Sequence, residues 1–211
     1  MIVQLINKPS ATGDIIAGLA AGTCTNSADW KRSLKGSMAS GHESVAEHAS
    51  YTFRISGVSR VLLAQLTRHR IASYSVQSQR YCTVNEDDFI IPETIKDDAL
   101  WGEYIKATKA CTNLYYKMID SGIPREDARY ILPQGTTTVI ILTMNARELR
   151  HFFSLRCCNR AQWEIRKLAD AMLALVQQED PILFKDAGPG CVRGRCPEGS
   201  RSCGKPRKSV I

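Results

Sequence analysis

Between Glu47 and Glu86 the chain carries no aspartate or glutamate, although Arg54, Arg60, Arg68, Arg70 and Arg80 all fall inside that window. With 21 acids in 211 residues, a window this long is acid-free by chance only about one time in fifty, which points to selected charge patterning. The densest part runs from Arg68 to Tyr81, where three guanidiniums, an imidazole and several hydroxyls share one segment. Guanidiniums present forked donors that match phosphate oxygens two at a time, so an anionic phosphate ligand is the natural partner. A solvated basic face remains the plainer alternative.

Other absences narrow the reading. No Gly-x-Gly-x-x-Gly follows a strand and no Walker A loop occurs, which excludes a Rossmann crevice or P-loop as the means of holding a nucleotide. No apolar run reaches membrane-spanning length, and Met1 to Ile6 has neither a basic n-region nor a small-residue cleavage site. A cytoplasmic protein with mostly reduced cysteines is expected, although the even count of eight would also permit disulfides in another compartment. Histidine is scarce. His42 and His48 are six apart, a spacing that does not place two ligands on one helical face, so no metal is expected there. Formal charge is +7 with a pI near 9.0, which suits acidic ligands. At 44% hydrophobic content the chain can bury one full core.

In chain order, Met1 to Asn7 reads as a strand, Pro9 to about Gly22 as a helix, and Asp29 to Met38 as a second helix. Gly41 breaks that pattern and opens a turn holding His42, Glu43, Ser44, Glu47 and His48. Ala49 to Ile55 alternates as a strand with Tyr51, Phe53 and Ile55 on one side. Val58, Val61, Leu62, Gln65, Leu66 and His69 recur at helical spacing, so Gln65 and Arg68 would project together as that helix runs out. Asp97 is expected to open a long amphipathic helix closed by Gly122, and Pro124 a short one carrying Arg129. Thr136 to Met144 reads as a strand. Asn145 to Cys157 reads as a helix with Arg147, His151 and Leu155 on one face and Arg156 at its end. A last amphipathic helix covers about Ala161 to Gln177. Residues 1–187 are expected to form a single domain. Residues 188–211, rich in Gly, Pro, Arg, Lys and Cys, read as an unstructured basic tail. Cys191, Cys196 and Cys203 lack paired C-x-x-C spacing, although a structural zinc protein stays open as an alternative.

Arg68-His69-Arg70, seven residues, then Ser78 and Arg80 resembles the signature of the flavin-dependent thymidylate synthases, which methylate dUMP without a cysteine nucleophile. Gly41-His42-Glu43-Ser44 with Glu47-His48 is similar to the family's upstream flavin segment. Asn145-Ala146-Arg147, His151, Leu155-Arg156 and Ala161 to Ile165 resemble its downstream one. The three segments are co-linear over roughly residues 1 to 185.

The resemblance implies an α+β fold, a small twisted sheet flanked by helices, assembled as a homotetramer with active sites between subunits. It implies FAD held by His42, Ser44, Glu47, Arg68, His69, Arg70, Ile71, Asn145, Arg147 and His151. It implies dUMP held by Gln65, Arg68, Gln77, Ser78, Gln79, Arg80, Arg129 and Arg156, with Arg156 and Ser78 acting in catalysis. Carbon would come from 5,10-methylenetetrahydrofolate and hydride from NADPH. Basic groups around a flavin pyrophosphate neutralise its charge.

Two positions depart from the commonest form of the motif. Ser75 stands where Asn is frequent and Val76 where Glu is frequent, so any contact made by that acid is missing. No cysteine is expected to act as nucleophile: Cys82 alone adjoins the basic loop, and Cys157 and Cys158 follow a helix C-terminus, where the dipole disfavours a thiolate. A nucleic-acid-binding module, suggested by the charge and by the basic run from Arg193 to Lys208, remains a rival, although no nucleic-acid partner is expected.

Overall fold

In the computed structural model, which describes residues 1–207, four strands form one antiparallel sheet. They are β1 (Ile2–Asn7), β2 (Ser50–Ser59), β3 (Ser73–Val76) and β4 (Thr137–Asn145), in the order β1-β2-β4-β3. Alternation along the two central strands decides which face is covered. Tyr51, Phe53 and Ile55 of β2 and Ile140, Leu142 and Met144 of β4 are buried, and Phe53 lies opposite Leu142 and Ile55 opposite Ile140, as period-two side chains require.

The helices are α1 (Gly13–Thr25), α2 (Trp30–Ala39), α3 (Arg60–Leu66), α4 (Glu93–Lys96), α5 (Trp101–Asp120), α6 (Arg125–Ala128), α7 (Ala146–Arg156) and α8 (Trp163–Glu179). Short 3-10 turns cover Glu43–His48 and Arg129–Ile131. Leu149, Phe152 and Phe153 of α7 and Ile165, Leu168, Met172 and Val176 of α8 cover the buried sheet face. Each such side chain contributes about 1.5 to 3 kcal/mol through burial. The small twisted sheet flanked by helices agrees with the expected α+β class. Tyr115 of α5, Val84 and Ala128 form a smaller, separate cluster.

Several boundaries differ from the sequence reading, each for a local reason. Strand β2 continues through Gly57 to Ser59, because Gly57 forms a bulge at φ +65°, where a Cβ would stand 3.2 Å from the backbone nitrogen of Met1. Val58 therefore belongs to the strand. Helix α3 begins only after Ser59, whose hydroxyl accepts from the Leu62 N–H at 3.0 Å and is itself held by buried Glu164, and it ends at Leu66 rather than running to His69. The helix expected from Asp97 starts at Trp101. The Asp97 N–H instead closes α4 onto the Glu93 carbonyl at 3.1 Å, and the Asp98 carboxylate accepts from the Leu100 N–H at 2.8 Å. The Arg-rich segment contains an edge strand, β3, that the sequence reading took as loop.

The tail is ordered through Arg207, against expectation. Arg207 donates to the Cys157 carbonyl at 2.6 Å and to Asp170 at 2.7 Å. Asn159 donates to the Lys205 carbonyl at 2.9 Å, and Arg160 to the Ser202 carbonyl at 3.2 Å. Backbone groups that an unstructured tail would leave to water are thus held by the α7–α8 corner. Lys208, the end of the basic run, lies outside the described residues. Among the described residues no helix is long and apolar enough to cross a membrane, and no three His, Cys, Asp or Glu side chains converge where they could hold a metal ion.

Candidate active site

The site grows from the junction where β4 becomes α7. Asn145 leaves the strand and caps the helix, its side chain accepting from the Glu148 N–H at 2.9 Å. The next residue, Ala146, donates its N–H to the Ala49 carbonyl at 2.7 Å. This bond stitches the 3-10 turn Glu43–His48 to the start of α7, so Glu47 reaches Arg147 in an ion pair. One turn on, buried Arg150 donates to Glu43 at 3.0 Å and to Asp186 at 2.8 Å.

Along the outer face of α7 runs a groove made of two hollows. The larger, about 630 Å³, is lined by Glu43, Glu47, Ile71, Asn145, Arg147, Glu148, Arg150, His151, Ser154 and Arg193. The smaller, about 350 Å³, is lined by Arg68, His69, Arg70, Ile71, Glu148, His151, Leu155 and Arg156. Ile71, Glu148 and His151 belong to both, so the hollows are continuous. The lining holds six arginines and three glutamates, a surplus of positive charge suited to phosphate oxygens.

At the floor lies a three-membered chain. His69 is buried, and its Nδ1 lies 3.1 Å from the Glu148 carboxylate. The Arg156 Nε donates to His69 Nε2 at 3.1 Å, which requires that nitrogen to carry a lone pair and fixes the proton on Nδ1. Burial, then the charges of Arg156 and His151, pushes the imidazole down to about 4, so His69 is neutral and the Glu148 contact is a hydrogen bond from a neutral ring. Glu148 itself is raised by burial. The Arg156 Nη2 donates to the Gln65 carbonyl at 3.2 Å, while Nη1 meets no acceptor among the described residues. Burial, then the neighbouring charge of Arg68, lowers Arg156 from its ordinary value.

The structure therefore gathers Glu47, Arg68, His69, Arg70, Ile71, Asn145, Arg147, His151 and Arg156 around one groove. His42 and Ser44 are exposed on the adjoining turn and do not line it. Gln65 contributes its backbone carbonyl. Gln77, Ser78, Gln79, Arg80 and Arg129 lie elsewhere, past the other end of β3, which is roughly 13 Å long. There Arg80 pairs with Glu126 at 2.7 Å, and the Arg129 Nε donates to the Glu126 carbonyl at 3.0 Å. Burial, then the charge of Arg129, lowers Arg60 nearby. The hollow at this end measures only about 20 Å³, and the Nε2 of buried Gln79 has no partner among the described residues. An orphaned buried donor beside three guanidiniums fits a site completed by further atoms.

Glu148 and Arg150 line the groove without having been singled out in the sequence, and Glu43 and Arg193, noted there only within the turn motif and the basic run, line it without having been assigned a site role. For Glu148 a signal existed, since Asn145-x-x-Glu148 has the spacing of a capping pair. Burial pushes the Cys157 thiol up, with Asp170 adding to the rise, in keeping with its unsuitability as a nucleophile. The residues present suit a flavin dinucleotide: the larger hollow lies within the roughly 300–1,000 Å³ range of ligand clefts, and its lining carries the surplus of arginines over glutamates that a pyrophosphate calls for.

Residues 5–182 match the family model described as thymidylate synthase complementing protein. The chain is 54% identical over 171 residues to a flavin-dependent thymidylate synthase of Geobacter sulfurreducens, covering 80% of this chain and 74% of that protein. It is 50% identical over 185 residues to one of Clostridium tetani, with coverage of 80% and 74%. It is also 48% identical over 183 residues to one of Pyrococcus abyssi, with coverage of 82% and 75%. With the family model spanning all four strands from Leu5 onward and the helices around the groove, the chain belongs to the family of the flavin-dependent thymidylate synthases.

Proposed function

We propose that this enzyme carries out the reductive methylation of dUMP to dTMP, with FAD bound in the α7 groove, 5,10-methylenetetrahydrofolate as carbon donor and NADPH as reductant. The observation that carries the reading is the convergence of Arg68, His69, Arg70, Arg147, His151 and Arg156 on one groove from three separate segments. FAD, when bound, supplies both the one-carbon transfer and the hydride chemistry, which leaves the protein to bind, orient and polarise.

Arg147, Arg68 and Arg70 would neutralise the pyrophosphate, and Asn145 and His151 would offer polar contacts along it. Glu47 positions Arg147, with Ser44 and His42 on the same turn facing solvent. Arg156 would face the uracil, where its fixed charge favours loss of the N3 proton and raises electron density at the carbon to be methylated. Glu148 and His69 hold that guanidinium in place: the neutral ring accepts from Nε, so the cation cannot turn away without losing two hydrogen bonds. Arg80 and Arg129 would take the nucleotide phosphate. Gln77 and Gln79 would contact the same nucleotide, with Gln65 and Arg68 reaching it from the groove side. Ser78 would position the pyrimidine without attacking it, because no base adjoins its hydroxyl.

In this reading the site takes the groove and the Ser78 loop from different protomers of a homotetramer with active sites between subunits; their placement at opposite ends of β3 and the small hollow at the Ser78 end support it. All eight cysteines are free thiols, which goes with a cytoplasmic location. The test is a purified protein with a flavin absorption spectrum that oxidises NADPH only when dUMP and the folate are present, with dTMP formed. A colourless protein that gains no flavin on incubation would overturn the reading.

A further inference from the structure

Residues 188–207 lie beyond the matched segment 5–182, yet they bring one side chain, Arg193, into the groove wall. Ala187, Gly188 and Pro189 are buried. Gly190 sits so tightly against Pro197 that a Cβ would stand 2.7 Å from two of its ring carbons, which fixes the turn Gly190–Arg193. Asn159, Arg160 and Asp170 hold the far end of the tail at Lys205, Ser202 and Arg207. Pinned at both ends, the segment delivers Arg193 to the wall of the larger hollow, among Glu43, Glu47, Arg147 and His151.

The three arginines of that hollow are not equivalent. Arg147 is already paired with Glu47, and Arg150 with Glu43 and Asp186. The Arg193 side chain makes no hydrogen bond or ion pair among the described residues. Its charge reaches Asp186, where burial acts to raise the carboxyl but the hydrogen bond and charge of Arg150, joined by Arg193, outweigh it. Arg193 is thus the hollow's one guanidinium, among the described residues, that an arriving anion meets without displacing a protein carboxylate. A paired arginine gives up one charge-assisted bond to gain another, whereas this one only gains.

We propose that the C-terminal tail is part of the ligand site, with Arg193 as an additional anion-binding residue that takes a phosphate of a dinucleotide held in the α7 groove. The inference rests on the function proposed above and extends it to a segment outside the family match. Two dinucleotides share the required chemistry, the flavin and the nicotinamide one, and the experiment separates them.

In the full-length protein, Arg193→Ala, Arg193→Lys and Arg193→Glu would be compared with the parent. FAD affinity is read by flavin fluorescence on the protein alone, and NADPH by its KM at saturating FAD. Arg193→Ala is expected to weaken one of the two ligands by about tenfold, the usual scale for losing a charge-assisted contact. Arg193→Lys should recover part of the loss and Arg193→Glu should deepen it. The affected ligand identifies the dinucleotide. Arg193 is exposed, so all variants should keep the parent's thermal unfolding midpoint and dUMP affinity. If the parent binds FAD but all three variants match it for both ligands within twofold, the tail arginine is only surface charge and the inference fails alone. If the parent binds no FAD, the proposed function fails and takes the inference with it.

Discussion

Among single residues, His69 has the least room for substitution. Two nitrogens 3.1 Å from Glu148 and from Arg156 leave one tautomer and one charge state that satisfy both partners. Its titration follows. The ordinary value near 6.5 is pushed to about 4 in the fold, so below pH 6.5 the unfolded chain takes up a proton that the native chain refuses. The protein should therefore lose stability as pH falls from 6.5 towards 4, by at most about 3 kcal/mol from this ring, with nothing lost from it above pH 7. Glu148, raised by burial, acts in the opposite sense, so the ring's share is read by comparison with His69→Gln. Urea unfolding at pH 7 and pH 5 should show the parent falling further than the variant, and equal falls would refute the neutral buried ring. Arg156 makes a second prediction at this scale. Arg156→Lys keeps a charge but cannot donate to His69 and to the Gln65 carbonyl while presenting a planar edge to a ligand. Turnover should fall by roughly ten- to a hundredfold while dUMP affinity falls by less than tenfold. Equal losses would make Arg156 a binding residue only.

At the scale of elements, α7 joins sheet, turn and tail, and Arg150 is its central fastener. The side chain is 3% exposed and ties Glu43 and Asp186, carboxylates from two segments more than a hundred residues apart in sequence, to one helix turn. Arg150→Met would keep much of the stem's volume and strand both acids. Removing one member of a buried pair costs about 3 to 5 kcal/mol, less here because both carboxylates reach solvent. A loss of about 2 kcal/mol in urea unfolding is expected, with weaker flavin binding because Glu43 and the turn bearing Glu47 come loose. A variant as stable as the parent would mean that the turn is held by the Ala146 to Ala49 backbone bond alone. Nothing in the sequence marks Arg150 for burial: charged residues on an amphipathic helix are ordinarily solvated, and its partners are set by tertiary structure. β2, β4, α7 and α8 were legible because alternation and 3.6-residue periodicity report a buried face directly. β3 was not, since Ser73-Tyr74-Ser75-Val76 is a short edge strand whose serines face solvent. Gly57 misled in a simpler way, as a bulge and a strand end look alike in sequence.

The groove residues were legible through three co-linear segments, but the placement of those segments relative to one another appears only in the whole molecule. Strand β3 separates the two sets that the proposed reaction would use together, Arg68 to Ile71 with α7 at one end and Gln77 to Arg80 with Arg129 at the other. The hollow at the second end holds about 20 Å³, too little for a nucleotide, and Gln79 keeps a buried donor without a partner among the described residues. Both features make sense if another protomer's groove covers this loop. A site shared in this way would make activity a property of pairs of subunits, which can be tested by mixing. Arg156→Ala damages the groove and spares the loop, whereas the double variant Arg80→Ala, Arg129→Ala damages the loop and spares the groove. Each assembled alone should be nearly inactive at limiting dUMP. Co-expressed at equal levels and assembled at random, the two should regain about a quarter of parental activity, because one site in four then takes an intact groove and an intact loop from different chains. Recovery no greater than the sum of the separate variants, in assemblies shown to contain both chains, would place groove and loop of each working site in the same protomer.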